Sequence, residues 1–402
     1  MRALPALLLI AAATAAAQAP VAPRGSAFDA LNAGRYLEAV DGFAALALDE
    51  RGEPRDQAAY QTWMQVAPFV ADELDPAAFD RLGGPPPDPA LASRVAAAAP
   101  RDALREIVRR ARLTSVVVLN EDHASPRDRA FASEVARALR PLGYSVLAAE
   151  AISNDGRAAP ALARDGFARL STGHYVKDPV FADHLRRALA LGYRPVVYEQ
   201  TEAQRPPGSG VDERERAQAE NLMAAVFRAD PKAKVLIHVG HSHVAEAPIA
   251  RGDGRPTEWM VARLKRLTGV DPLTIDQTGL TDLARATRAA HAAARVGARP
   301  AVLFENGGPL VAGRFAGAVD LQVVHPRRAY RHGRPTWLAR AGRRPLAVPR
   351  ALLPTTGRRL VQAFAAGAPA DAVPLDQVVV EAGRPAPSLM IPPVPLRLAA
   401  QP

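Results

Sequence analysis

The chain contains no cysteine in 402 residues. That excludes disulfides, thiolate metal ligands, cysteine nucleophiles and a lipid anchor on an N-terminal cysteine. Lysine is nearly missing as well: Lys177, Lys232, Lys234 and Lys265 are all there are, so arginine carries almost the whole positive side of a formal charge of +10. Such a balance can mark a face for nucleic acid or membrane headgroups. Here the arginines are spread along the chain among abundant Ala, Pro and Gly, which reads as a compositional bias. Aromatic residues make up only 5% and do not interleave with the basic ones, so no platform for stacking bases is built. We expect no nucleic-acid partner.

Long apolar runs are also lacking beyond the first residues. Met1-Arg2 is followed by a short Ala/Leu-rich stretch that ends in Ala15-Ala-Ala17, the pattern of a secretory signal peptide. The stretch is too short and too rich in alanine to read as a membrane span. We expect cleavage after Ala17, because cutting after Ala19 would leave Pro20 first. A bacterial periplasmic or secreted protein without a membrane segment follows, and the missing cysteines suit it.

What is present is a pattern of helices, then alternating strands and helices. Residues 27–95 read as a helical segment and linker: Phe28, Leu31, Tyr36, Val40, Phe43, Leu46 and Leu48 recur at helical spacing, and Gly83-Gly-Pro-Pro-Pro-Asp-Pro89 is loop-forming. Ala33 to Val40 resembles the first helix of a tetratricopeptide unit, but no second copy follows, so we expect a helical cap. From about 100 to 330 the short runs Val116–Leu119, Val146–Ala149, Pro195–Tyr198 and Val235–Val239 alternate with helical stretches, with further strand candidates at 272–275, 301–304 and 321–324. This predicts an α/β fold with a mainly parallel sheet and helices on both faces. Residues 331–402, rich in Pro and Arg, read as a small, partly ordered extension with a helix at Gly357–Ala366 and a strand at Asp376–Glu381.

The chemistry collects after the first four strands. Glu121 and His123 follow the first, Glu150 the second, Glu199 the third, and His238, His241 and His243 the fourth. In an open parallel sheet the carboxyl ends line one edge, where ligands bind. Single polar loop residues would carry no message, but burying several charges together is rarely favourable for stability alone. The three carboxylates can be hard metal ligands or general bases, and the histidines can be metal ligands, anion holders or proton shuttles. A zinc-like site would draw on His238, His241, His243 and Glu121. A water held by that ion, or by Glu and His alone, would attack an ester or amide carbonyl. Arg214 is a candidate for a substrate carboxylate or an oxyanion, or else a solvated helix residue. No Gly-x-Ser-x-Gly elbow, Walker loop or His-Glu-x-x-His helix occurs, and Ser242 would point away from its neighbouring histidines on an extended chain.

These motifs resemble a superfamily that joins ChaN-like haem-uptake lipoproteins, Tiki and TraB-type proteins and erythromycin esterases. Val116-Val-Val-Leu-Asn-Glu-Asp-His123 is similar to its strand followed by Gly-Glu-x-His, and Leu147-Ala-Ala-Glu150 to its second strand. Lys177–Phe181, Leu191–Tyr193 and Val197–Glu199 are similar to its middle section. Arg214–Leu222 is similar to its Arg-Asp-x-x-Met-Ala-x-Asn-Leu helix, and His238-Val-Gly-His-Ser-His243 to its closing motif. Asn120 stands where the family has Gly, and Gln218 where it has Met. The resemblance implies either an exported hydrolase acting on a small molecule, with Glu121, His123, Glu150, Glu199 and His241 catalytic and Arg214 and Tyr175 binding substrate, or a non-catalytic haem or iron carrier in which Tyr175 and Tyr198 join the histidines as ligands.

Overall fold

The computed structural model describes residues 24–402; the signal peptide expected before Ala17 lies outside them. Eight strands form the main sheet: β1 (Ala99–Asp102), β2 (Val116–Glu121), β3 (Val146–Ala149), β4 (Arg194–Val196), β5 (Val235–Gly240), β6 (Leu273–Asp276), β7 (Ala301–Glu305) and β8 (Leu321–Val324). Their order is β1-β7-β8-β6-β2-β5-β3-β4, with Gly308–Pro309 as a short ninth strand against β7. Pairings from β8 through β4 are parallel, and β7 is antiparallel to both its long neighbours. The fold is α/β, with a mixed, mostly parallel sheet.

Helices cover both faces because the central strands are apolar on both. In β2, Val117 and Leu119 face one cluster while Val116 and Val118 face the other, which is the period-two alternation of a pleated strand. The first cluster is closed by α4 (Ala103–Arg110), α5 (Pro126–Leu139) and α6 (Pro179–Ala190), through Ile107, Phe131, Val135, Leu139 and Leu185. The second is closed by α7 (Val211–Leu222) and α8 (Met260–Thr268), through Leu222, Met260, Val261 and Leu264. Burying each such side chain contributes roughly 1.5–3 kcal/mol. Helix α5 starts on Pro126, whose missing N–H costs nothing at a first-turn position, and the chain leaves it through Gly143 at φ 90°.

The N-terminal segment forms α1 (Arg24–Asn32), α2 (Tyr36–Ala47) and α3 (Gln57–Val66), followed by two short helices up to Asp80. Its apolar core reaches Leu170 and Tyr175 of the main domain and Leu360 of the C-terminal region. That C-terminal region overturns one expectation. It is built mainly of strands, with a short helix at Trp337–Arg340: β9 (Arg358–Ala365) pairs antiparallel with β10 (Asp376–Glu381) and β11 (Leu396–Gln401), and Arg344–Leu346 pairs with Leu389–Ile391. The helix expected at 357–366 is therefore strand β9. Its Leu, Gln, Ala and Arg residues favour a helix, but ladders on both edges and apolar packing on both faces override that preference.

Buried arginines fasten this sheet to the helices. Arg334, 2% exposed, donates to both carboxylate oxygens of Asp72 at 2.6 and 2.8 Å and to those of Asp376 at 2.7 and 2.8 Å. Removing it leaves Asp72 without a cation among the described residues and Asp376 with only the more distant Arg343, 3.7 Å away. Arg334→Ala is expected to cost about 3–5 kcal/mol in chemical denaturation; stability unchanged within about 1 kcal/mol would show that the triad contributes nothing to this interface.

Candidate active site

The parallel register brings the strand ends level. Glu121 on β2 sits opposite Gly240 on β5, and Ala149 on β3 opposite His238. Glu121, Glu150, Glu199 and the three histidines of residues 238–243 thus gather at one edge of the sheet.

Glu121 forms the floor, its side chain 2% exposed. Arg129 on α5 grips both its oxygens, Nε at 2.9 Å and Nη2 at 3.0 Å, and donates a third bond to Asp178 at 2.7 Å. His123 Nδ1 lies 2.9 Å from Glu121 Oε1. Burial alone would raise the Glu121 pKa. The charge of Arg129, the His123 hydrogen bond and His238 outweigh it and hold the carboxylate well below its ordinary range. Ionised, Glu121 can accept the Nδ1 proton of His123, which leaves Nε2 as an acceptor.

Arg214 on α7 is the hub of the mouth, far from a solvated helix residue. It donates to Glu199 Oε1 from Nε at 3.0 Å, to Glu150 Oε1 from Nη2 at 2.5 Å, to Glu199 Oε2, and contacts His243 Nε2 from Nη1 at 3.0 Å. Glu150 also accepts the Gly240 N–H at 2.6 Å. Burial opposes its ionisation, but His243 and Arg214 win and bring its pKa to about 2. His243 is tied at Nδ1 to buried Glu215 at 2.7 Å, and Glu150 and Glu215 together raise its pKa against the effect of burial. Side-chain exposure falls from 34% at Arg214 through 22% at Glu199 and 13% at His123 to 2% at Glu121, so the site opens at Arg214 and deepens to Glu121.

Two imidazoles face each other across this opening. The His241 and His123 rings meet edge to face with centroids 4.9 Å apart. His241 sits at φ 38°, a conformation uncommon for a residue with a Cβ, and burial lowers its pKa. No hydrogen bond from the described residues reaches its ring. Gly240 lets the two approach: a Cβ there would lie 2.5 Å from His123 Cε1, 2.6 Å from Nε2 and 3.2 Å from Glu150 Oε2. Gly240→Ala is expected to push His123 out of place and reduce turnover about tenfold or more, with circular dichroism unchanged; full activity would mean that the His123 position is irrelevant.

Other expected site residues have different duties. Tyr175 stacks on His123 with ring centroids 4.0 Å apart, and its hydroxyl is bonded to Gln65 of α3 at 2.9 Å; it supports the histidine from the helical cap. Tyr198 is fully buried and donates to the His238 carbonyl. His238 lies beneath the site with Nε2 3.5 Å from Glu121 Oε2, too poorly placed for a hydrogen bond, and burial lowers its pKa. Ser242 accepts from Arg314 and pairs with no imidazole among the described residues.

Several of the expected ligand atoms are engaged by protein partners. Arg129 occupies both oxygens of Glu121, Arg214 and Gly240 occupy those of Glu150, and both nitrogens of His243 are engaged. Among the described residues no three His, Asp or Glu side chains are grouped to hold an ion. An ion on Glu121 would have to displace Arg129 first.

Sequence reasoning missed Arg129, Asp178 and Glu215. A signal for Arg129 was available: Arg127 and Arg129 stand in the first turns of a helix, where the dipole disfavours cations, so each needs a carboxylate partner. Arg127 finds Asp282 and Arg129 finds Glu121. Gln218, standing where the resembled family has Met, donates to Glu199 at 3.0 Å and so belongs to the mouth.

No family model matches the chain, and no curated protein matches it. Among solved structures, a crystal structure of bacterial protein toxins gives a TM-score of 0.34 at 18% identity over 55% of this chain and 46% of that one. The C-terminal region of Pasteurella multocida toxin, described as having a thiol-protease-like catalytic triad, gives 0.31 at 15% over 52% and 29%. A MARTX toxin effector domain from Vibrio vulnificus gives 0.32 at 16% over 59% and 54%. The chain thus spans about half or less of their lengths, and likenesses at this level carry no argument about its chemistry. The resemblance to the ChaN, Tiki and erythromycin esterase group rests on its motifs alone.

Proposed function

We propose that the protein is an exported hydrolase of small esters or amides in which the Glu121–His123 pair activates water. The observation that carries this reading is one imidazole with its Nδ1 anchored on a buried carboxylate and its Nε2 without a hydrogen bond among the described residues, facing a second imidazole whose ring likewise has none among them. His123 Nε2 takes a proton from a water set between it and the substrate carbonyl, and the water oxygen adds to the carbonyl carbon. Neutral His241 accepts the water's other hydrogen and fixes its direction. Arg214, the cation at the mouth of the site, stabilises the growing oxyanion. The protonated His123 then gives its proton to the departing alcohol or amine as the carbon–oxygen or carbon–nitrogen bond breaks, so one group serves as base and then acid. Glu121 holds the imidazolium, and Arg129 holds Glu121.

The test is turnover of an ester and amide panel before and after chelation, with elemental analysis of the purified protein. Turnover that survives chelation supports the Glu121–His123 base. Activity that tracks bound zinc would replace that base by a metal-bound water. A tight one-to-one haem complex in the Soret region, with no turnover on any substrate, would favour the carrier reading that the resemblance also implies. That reading must contend with the hydroxyls of Tyr175 and Tyr198, both already committed to protein partners.

A further inference from the structure

We propose that Asn120, the residue standing where the resembled family has Gly, is a positioning residue that holds His241 in its working conformation. Asn120 is fully buried near the end of β2. Its Nδ2 donates to the His241 carbonyl at 2.9 Å and to Asp276 Oδ1 at 2.8 Å. Its Oδ1 accepts the Gln277 N–H at 2.7 Å, and its own carbonyl accepts from Gln277 Nε2 at 2.6 Å. Donors and acceptor are thus all committed, and the amide has one orientation. Asp276 is in turn fixed by the Thr278 and Gly279 N–H groups, the Thr278 hydroxyl and Gln322. The turn after β6 therefore fixes Asn120, and Asn120 fixes the backbone of His241 across the sheet.

The conformation needs such a clamp. At φ 38° a residue with a Cβ is strained, and such backbones persist only where their surroundings impose them. The ring of His241 has no hydrogen bond of its own from the described residues, so its direction follows from its backbone and from the His123 edge. A glycine at 120 would leave the His241 carbonyl free to turn. The kinetic part of this inference rests on the hydrolytic reading; the structural part does not.

The experiment compares Asn120→Ala and the shape-preserving Asn120→Asp with the full-length parent in two ways. By NMR at one fixed pH, the His241 ring resonances, identified by their loss in His241→Asn, are expected to shift in the variants as the ring leaves the His123 edge, while the resonance of exposed His332 stays. In kinetics, kcat is expected to fall about 10–100-fold with KM changed less than about twofold, as expected when a catalytic group is displaced by about an ångström. Unmoved His241 resonances in either folded variant would overturn the proposal, and so would failure of both variants to fold, which would make Asn120 a residue of the core alone. If the parent turns over no substrate, the hydrolytic reading falls, and the resonance shift still decides whether Asn120 holds His241.

Discussion

Glu121→Ala is expected to unfold with about 3–5 kcal/mol less denaturation free energy than the parent, besides losing turnover. From sequence, Glu121 reads as a polar residue that follows a strand. It is instead the last residue of β2 and the main partner of Arg129, which is fully buried. Truncation leaves that guanidinium with Asp178 as its remaining carboxylate, and His123 without its Nδ1 partner. Glu121→Gln keeps the shape and most acceptors and should cost less. Urea denaturation of the three proteins checks this. Equal midpoints and slopes for the parent and Glu121→Ala would mean that Arg129 is solvated in its absence and that the floor of the site is not part of the core.

His241→Asn is expected to do the opposite: kcat falls about a hundredfold or more while stability stays within about 1 kcal/mol of the parent. Asparagine tolerates the left-handed region better than most side chains with a Cβ, so the backbone at φ 38° and the Asn120 clamp on its carbonyl survive the change. Only the imidazole is lost, and no hydrogen bond from the described residues depends on it. A large stability loss would assign His241 to packing. Full activity would leave His123 to act alone.

The contrast between these two residues marks what the sequence makes legible. Apolar β-branched runs such as Val116–Leu119 and Val235–Ile237 announce strands buried on both faces, and their order with the helices gives the α/β class. Once the sheet is parallel, its strand ends must share an edge, so the convergence of Glu121, Glu150, Glu199 and His241 follows from topology. Which arginine grips which carboxylate does not. Arg129 and Arg214 are two of many arginines, and only the rotation of α5 and α7 against the sheet separates them from solvated ones. The C-terminal region was less legible for another reason. Gly357–Ala366 has helix-favouring composition, and its strand character comes from partners at 376–381 and 396–401 that no local pattern reveals.

The central claim, a water-activating Glu121–His123 pair aided by His241, is tested most directly by one comparison on a single ester or amide found in the panel. Initial rates of the chelated parent and chelated His241→Asn are measured at equal concentration, both proteins having been shown to be folded. The account predicts turnover by the parent and a loss of about a hundredfold or more in the variant. Equal rates in the two proteins, or a parent that turns over only with metal restored, would contradict it.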